Sequence, residues 1–226
     1  MSWESSAEYY RRINTLTRAA LGPLASAKSL MYTVDFREVE ALQRAARWDE
    51  AAALLVDAAR RLERGGAACI VLCTNTMHKL AAPLEAAVGI PLLHIADCTA
   101  ERVTGAGLRR VGLLGTAFTM EEDFYKGRLS ERFGLEVLVP GDADRALVHR
   151  VIYDELCRGR LELDSKAEYA RIMRDLAARG AQGIILGCTE ITLLVGQGQS
   201  PVPVFDTTQI HAEAAVAFAL EPSHAH

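Results

Sequence analysis

A cysteine at the end of one hydrophobic run is followed directly by residues that could bind a substrate. The run "ACIVLC" ends at Cys73, and the next three residues are Thr74, Asn75 and Thr76. Hydroxyl, amide and backbone N–H groups gathered at one point can hold a carboxylate and stabilise a developing carbanion. The thiol beside them is either a small core residue or a reactive group in a prepared pocket, and the choice depends on whether it has a partner.

A second cysteine occupies the equivalent place in an internal repeat. The segment "RLERGGAACIVLCTNTMHKL" (61–80) is similar to "DLAARGAQGIILGCTEITLL" (175–194). The repeat aligns Cys73 with Cys188, and each cysteine is followed by a threonine. Two aligned thiols favour catalysis over core packing, and Glu190 adds an acid beside the second thiol.

Short apolar runs alternate with amphipathic stretches along the chain. Apolar runs that are each followed by a helix indicate parallel sheets covered on both faces. The strand candidates are 29–36, 68–73, 90–95, 110–116, 135–140, 183–188 and 202–205. The helix candidates are 4–20, 37–46, 48–64, 76–87, 97–106, 119–133, 143–158, 165–179 and 208–220. The predicted fold class is α/β, with two pseudosymmetric half-domains that are each a mostly parallel sheet flanked by helices.

The repeat also predicts the domain organisation and the chemistry. The first half-domain is expected at 1–101, completed by a C-terminal helix at 207–226, and the second at 102–206. Ligands bind beyond the carboxyl ends of parallel strands, so Cys73 and Cys188 are expected to face one cleft between the halves. Helix N-termini after both cysteines are expected to lower the thiol pKa values. One thiolate would remove a proton from a carbon and the other thiol would return one on the opposite face, without a cofactor.

Further polar residues are expected to line the same cleft. Thr116 and Thr119 follow the strand "RVGLLGT", and Ser2 should follow the counterpart of that strand in the first half. The predicted substrate-binding residues are Ser2, Thr74, Asn75, Thr76, Thr116, Thr119, Thr189 and Glu190.

Structural interpretations of the same residues remain open. Thr74 and Thr189 could be helix N-caps. Glu190 could accept a substrate ammonium, tune Cys188, or serve only as a first-turn acid, and His78 could belong to the core or to the site. Three other cysteines are interpreted as core packing: Cys69, Cys98 and Cys157.

Composition excludes several classes of protein. The chain has 226 residues, of which 50% are hydrophobic and 24% charged, so it fits one large or two small folded domains. A net charge of −4 argues against nucleic-acid binding, and the apolar runs are too short to span a membrane. The odd number of irregularly spaced cysteines predicts neither disulfides nor a metal site and favours the cytoplasm.

The repeat is uneven at its beginning. The second half opens with a strand before the helix that starts near Met120, whereas the matching helix of the first half starts near Glu4. The matching strand would lie before Met1, which suggests a misplaced start or a truncated chain. Loss of a central strand would leave buried backbone groups unpaired, so we expect lower stability or more aggregation than in a longer form.

These motifs resemble the aspartate/glutamate racemase superfamily, specifically the aspartate-racemase-like amino-acid racemases. The resemblance covers essentially the whole chain through "MSWESSAEYYRRIN", "VLCTNTMHKL", "LLGTAFTMEEDFYKGRL", "IYDELCRG", "LGCTEITLLV" and "VPVFDTTQIHAEAAV". It implies an enzyme that is independent of pyridoxal phosphate and usually dimeric, with Cys73 and Cys188 as the catalytic residues. It also implies that the Thr-Asn-Thr and Thr-Glu residues after these cysteines hold the substrate.

One departure from the family bears on the substrate. Some aspartate racemases hold the side-chain carboxylate with an arginine and a lysine, and the alignment places those near Glu40 and Cys157, with Arg158 adjacent. A broader amino-acid specificity, hydantoin racemisation or decarboxylation are alternatives, although such decarboxylases tend to keep one cysteine. A non-catalytic small-molecule binding protein and a redox dithiol are alternatives of other classes. The expected partners are an amino-acid substrate and a second copy of the chain, with no nucleic acid and no membrane.

Overall fold

The computed structural model describes residues 2–221. Met1 and the predicted extension of the last helical segment to 226 lie outside the described residues. Parallel sheets are flanked by helices, which confirms the predicted α/β class. The described residues form two compact units, one made of residues 2–94 with 211–221 and the other of residues 95–210.

The elements alternate between helix and strand along most of the chain. The helices are α1 (Trp3–Leu21), α2 (Phe36–Arg44), α3 (Trp48–Arg64), α4 (Ala81–Ala87), α5 (Ile95–Gly105), α6 (Ala117–Glu121), α7 (Asp123–Phe133), α8 (Asp142–Asp154), α9 (Leu163–Ala178), α10 (Ile191–Leu194) and α11 (Thr207–Leu220). The strands are β1 (Ile70–Val71), β2 (Leu92–Leu93), β3 (Arg110–Gly115), β4 (Glu136–Leu138), β5 (Gly183–Gly187) and β6 (Val204–Asp206). Short 3₁₀ helices span Thr76–Leu80, Leu156–Arg158 and Gln197–Gln199. Between residues 2 and 221, no helix is both long and apolar enough to cross a membrane.

The second unit has a four-stranded parallel sheet in the order β4-β3-β5-β6. The two central strands bury nearly all of their side chains, with Leu113 and Ile185 fully inaccessible. Their apolar runs show no alternation because both faces of the sheet are covered. Gly115 pairs with Gly187 at the last position of the β3–β5 ladder, so the two strands end at the same edge of the sheet.

The described residues of the first unit form a smaller sheet, in which β1 pairs with β2. The predicted strand at 29–36 is wrong, because residues 22–35 have no regular secondary structure and Phe36 already begins α2. A cavity of about 110 Å³ separates residues 30–34 from β1 and the residues that follow it.

The predicted strand does not form because it has no neighbouring strand to pair with among the described residues. In the second unit β3 lies between β4 and β5, whereas the part of the first unit described here has no strand in the corresponding place. A strand is defined by its hydrogen-bonded neighbour, and residues 29–35 have none. Leu30, Met31 and Tyr32 are therefore about half exposed despite their apolar character.

Two predicted helices are interrupted. The predicted helix at 119–133 is divided at Glu122, whose backbone is extended, into α6 and α7. The predicted helix at 76–87 begins as a 3₁₀ turn over Thr76–Leu80 and becomes α-helical only at Ala81. Both interruptions lie shortly after a polar loop at a strand end, where side chains and backbone form local hydrogen bonds.

We expect chymotrypsin to cut the folded protein first within residues 22–35. Leu24, Leu30, Met31 and Tyr32 are exposed there, on a long irregular segment that a protease can bind in extended form. Mass spectrometry of the first fragments locates the cut. A first cut at Leu161 or Leu163, which are equally exposed but lie at a short loop, would contradict the expectation.

Candidate active site

The second thiol lies at the carboxyl end of β5 beside a carboxylate. Cys188 directly follows the strand, and its Sγ–H donates a hydrogen bond to Glu190 Oε2 at 3.0 Å. Both side chains are buried, at 8% and 7% exposure. A buried thiol is thus paired with a group that can take its proton.

The pKa of Cys188 differs from the sequence-based expectation. Burial, followed by the charge of Glu190 and the neighbouring Cys157, raises the pKa of the thiol well above its usual value. The predicted lowering by a helix N-terminus is therefore wrong for this residue. The following helix α10 is a single turn of four residues, so its dipole is too small to offset burial.

Two predicted threonines follow β3 at the edge of the sheet where β5 also ends. Thr116 follows β3 as the N-cap of α6, and its Oγ1 accepts a hydrogen bond from the Thr119 backbone N–H at 3.3 Å. The two hydroxyl oxygens are 3.2 Å apart, and both residues are buried. A Cβ at Gly115 would come within 3.1 Å of both the Gly187 carbonyl and Thr119 Cβ, so this close approach requires glycine.

The first thiol is tied to the beginning of helix α1. Cys73 is half-buried, and its backbone carbonyl accepts a hydrogen bond from Ser5 Oγ at 2.9 Å. Ser2 is the N-cap of α1, where its Oγ accepts from the Ser5 backbone N–H at 3.1 Å. Within the first unit, the structure therefore brings Ser2 close to the Cys73 loop through Ser5.

Burial also dominates the first thiol. It raises the pKa of Cys73 to about 11, so the predicted lowering is wrong here as well. The Thr74 backbone N–H donates to the Leu72 carbonyl at 2.7 Å, and a 3₁₀ helix rather than an α-helix follows from Thr76. The thiol therefore lies before a tight turn and not at the N-terminus of a long helix.

The remaining polar residues of the two motifs are mostly buried. Asn75, Thr76 and Thr189 are 3%, 6% and 6% exposed. The interpretation of Thr74 and Thr189 as N-caps is wrong, because the cap positions of the following helices are Asn75 and Glu190 and neither helix end has a side-chain cap bond. Neither threonine therefore acts as the N-cap of the helix that follows it.

The two cysteines are equivalent in sequence but not in strand register. Ile70 N–H donates to the Pro91 carbonyl at 2.8 Å, and Ile184 N–H donates to the Pro203 carbonyl at the same distance. Cys73 lies three residues after Ile70, whereas Cys188 lies four residues after Ile184. Relative to these equivalent hydrogen bonds, Cys188 therefore lies one residue further along its chain than Cys73 does.

Three histidines form a buried group behind the Cys73 loop, which we call the histidine cluster (His78, His94 and His211). The ring of His78 lies 4.6 Å from that of His94 and 5.9 Å from that of His211, centroid to centroid. His78 Nδ1 is 2.7 Å from the Thr74 carbonyl, which can only accept, so Nδ1–H donates. His78 thus contacts the backbone of the loop that carries Cys73.

The tautomer of His211 follows from its two partners. Its Nε2 lies 2.7 Å from the Leu93 carbonyl and must donate, so its Nδ1 accepts from the hydroxyl of Tyr9 at 2.8 Å. Burial lowers the pKa of His211 to about 4. Burial and the neighbouring His94 and His211 lower the pKa of His78 well below its usual value, against the opposing hydrogen bonds to Thr74 and Leu93.

Sequence reasoning missed Ser5, Tyr9 and His211. The spacing of Ser2 and Ser5 before a helix was a usable signal for a cap, and "TTQIHAEAAV" contained a histidine within an apolar helix. Neither signal identifies the distant partner, since His211 and Tyr9 are 202 residues apart in the chain. Over residues 2–221, no three histidine, cysteine, aspartate or glutamate side chains are arranged to hold a metal ion, and all five cysteines are free thiols.

We expect the alkylation of Cys73 by iodoacetamide to increase about tenfold per pH unit from pH 7 to 10, because only the thiolate reacts and its pKa is about 11. Mass spectrometry of the Cys73 peptide gives the rate, and a small free thiol serves as the reference. A plateau of the Cys73 rate near pH 8 would contradict the raised pKa.

We expect acid to destabilise the protein partly through His211. Its folded-state pKa of about 4 lies below the unfolded value of 6.5, so its contribution is present above pH 6.5 and is lost as the pH falls towards 4. The free energy of unfolding should fall by ~1.4 kcal/mol per pH unit from this group alone. Denaturant unfolding of His211→Gln, which keeps a donor for Leu93, should show a correspondingly smaller slope. Equal slopes in both proteins would count against this assignment.

Comparison with known proteins places this geometry in a family. The model of the Asp/Glu/Hydantoin racemase family matches residues 1–215. A crystal structure from Yersinia pestis assigned to the Asp/Glu racemases is 55% identical, with a TM-score of 0.92 over 97% of this chain and 96% of that one. An aspartate racemase homologue from Pyrococcus horikoshii OT3 is 35% identical, with a TM-score of 0.84 over 96% and 95%.

A characterised relative is more distant in sequence. The broad specificity amino-acid racemase RacX of Bacillus subtilis (strain 168) is 26% identical over 168 residues, which are 74% of this chain and 72% of the relative. The family model and these relatives agree on one reaction class. The chain belongs to the Asp/Glu/Hydantoin racemase family and is an isomerase of the amino-acid racemase type.

Proposed function

We propose that the protein is a cofactor-independent amino-acid racemase that uses Cys73 and Cys188 as its two acid-base groups. The observation that carries the proposal is the hydrogen bond from the buried Cys188 thiol to Glu190 at a strand end, in a motif that the sequence repeats at Cys73. One thiol acts on each face of the α-carbon. The substrate-binding residues are those of the two motifs together with Ser2, Thr116 and Thr119.

The raised pKa values define how the reaction begins. With both thiols protonated at neutral pH, one must lose its proton before it can act as a base. We assign that step to Glu190, which takes the proton of Cys188 when the positive charge of the substrate ammonium stabilises the thiolate. The thiolate then removes the α-proton, and the Cys73 thiol donates its proton to the opposite face of the carbanion. Solvent returns a proton to Cys73 and receives one from Glu190.

Specificity wider than aspartate and glutamate is the second candidate. The resemblance to the family places the positions that hold a side-chain carboxylate near Glu40 and Cys157. Glu40 pairs with Arg44, and the adjacent Arg158 is largely exposed and pairs with Asp154 at 3.4 Å. Neither of those two positions carries a basic side chain that could bind a second carboxylate, which favours uncharged amino acids as additional substrates.

We further expect the protein to be a homodimer, which light scattering tests, and to be located in the cytoplasm, which cell fractionation tests.

We expect the α-proton of at least one amino acid to exchange in D₂O, with build-up of the opposite enantiomer. NMR over a panel of L- and D-amino acids, including aspartate, glutamate and uncharged ones, follows both events. Cys73→Ser and Cys188→Ser should each lower racemisation at least about a hundredfold, because each removes one acid-base group. Cys69→Ser, at a half-buried cysteine outside the motifs, is the matched control and should retain activity.

The alternatives give different results. A protein that only binds small molecules would retain its ligand in both serine variants and exchange no proton. A decarboxylase would release carbon dioxide from a malonate-type acid and would need only one of the two cysteines. Full racemisation by either serine variant would contradict the two-base mechanism.

A further inference from the structure

We propose that His78 is a positioning residue for the first thiol, and that it sets the conformation of the loop Cys73–Thr76. The proposal rests on the proposed function, in which Cys73 is one of the two acid-base groups. It concerns a buried histidine that donates a hydrogen bond to the backbone of the loop.

The backbone carbonyls of two consecutive loop residues are held by side chains. Ser5 Oγ donates to the Cys73 carbonyl at 2.9 Å, and His78 Nδ1 donates to the Thr74 carbonyl at 2.7 Å. The described chain has no cis peptide bonds, so the N–H of each peptide points opposite to its carbonyl. With the Thr74 carbonyl directed at His78, the Asn75 N–H is directed away from the histidine cluster. His78 therefore decides the direction of a backbone donor two residues after the thiol.

The ring of His78 is itself held in one orientation. His94 and His211 contact it edge-on from β2 and α11, and all three rings are at most 5% exposed. His211 is in turn fixed by the Tyr9 hydroxyl from α1 and by the Leu93 carbonyl at the end of β2. Three separate elements therefore define where His78 Nδ1 lies.

The loop needs this support because its strand provides little. In the part of the chain that the structure describes, β1 pairs with β2 alone, over two residues, and the chain turns at Leu72–Thr74 immediately afterwards. A displacement of about 1 Å in a reacting group can lower turnover about a hundredfold. An Nδ1–H donor at His78 thus serves the geometry of the loop, because its hydrogen bond holds the Thr74 carbonyl directly after Cys73.

Two substitutions separate the donor from the bulk of the ring. His78→Asn keeps an N–H donor near the position of Nδ1, whereas His78→Leu fills the space without a donor. Val39→Ala, in the apolar core of the same unit, is the control for lost stability without a change in the loop. Each folded variant is assayed for the alkylation rate of Cys73 by peptide mass spectrometry and for kcat and KM separately.

We expect His78→Leu to change the Cys73 alkylation rate several-fold and to lower kcat about ten- to a hundredfold with little change in KM. His78→Asn should have an alkylation rate and a kcat close to those of the unchanged protein, and Val39→Ala should alter neither quantity. Unchanged alkylation and kcat in folded His78→Leu would overturn the proposal. If His78→Leu does not fold, Tyr9→Phe replaces it in the test, because this substitution removes only the hydroxyl that holds His211. We expect Tyr9→Phe to change the alkylation rate of Cys73, and an unchanged rate would overturn the proposal.

The alkylation assay needs no substrate, so the two proposals fail separately. A protein that exchanges no amino-acid α-proton, yet whose Cys73 responds to His78→Leu and is rescued by His78→Asn, would refute the racemase mechanism and retain the positioning role. A protein that racemises amino acids, but in which His78→Leu changes neither the alkylation rate of Cys73 nor kcat, would refute the positioning role and retain the racemase mechanism.

Discussion

A parallel strand directs the residue that follows it only as firmly as its neighbours hold it. β5 is hydrogen-bonded on one edge to β3 and on the other to β6, and its ladder with β3 continues to Gly187. Cys188 therefore leaves the sheet at a defined point, beside the end of β3. Among residues 2–221, β1 has one neighbouring strand, β2, and a ladder of two residues.

The two thiol loops are consequently held by different means. The sheet itself places Cys188, and Gly115 and Gly187 leave room for Thr119 against the ends of β3 and β5. On the first side, side chains replace the missing backbone support, because Ser5 and His78 hold two successive carbonyls of the loop. The one-residue difference in register between Cys73 and Cys188 is already present in the sequence, because Gly187 adds one residue between the apolar run and the second cysteine.

Burial governs the electrostatics of both loops. The helices that follow the cysteines do not lower the pKa values of the thiols, because one is a 3₁₀ turn and the other a single α-helical turn. Removal of a thiolate from water is costly, so burial has the larger effect. The same desolvation lowers the pKa values of His78 and His211, and both rings donate hydrogen bonds to backbone carbonyl groups. A charged substrate entering such a surrounding has a large effect on the pKa of a thiol, which is how a resting thiol can become a base.

The sequence by itself determined the α/β class, the internal repeat, the two cysteine motifs and the likeness to the racemases. These follow from local composition and from spacing along the chain, which short segments record directly. The tertiary structure was needed to show that residues 29–36 form no strand and that the pKa values of the two thiols are raised and not lowered. It was also needed to show that His211 of the last helix and Tyr9 of the first helix meet behind Cys73. Strand pairing, burial and contacts across 202 residues depend on which segments become neighbours, and no local pattern in the sequence records that.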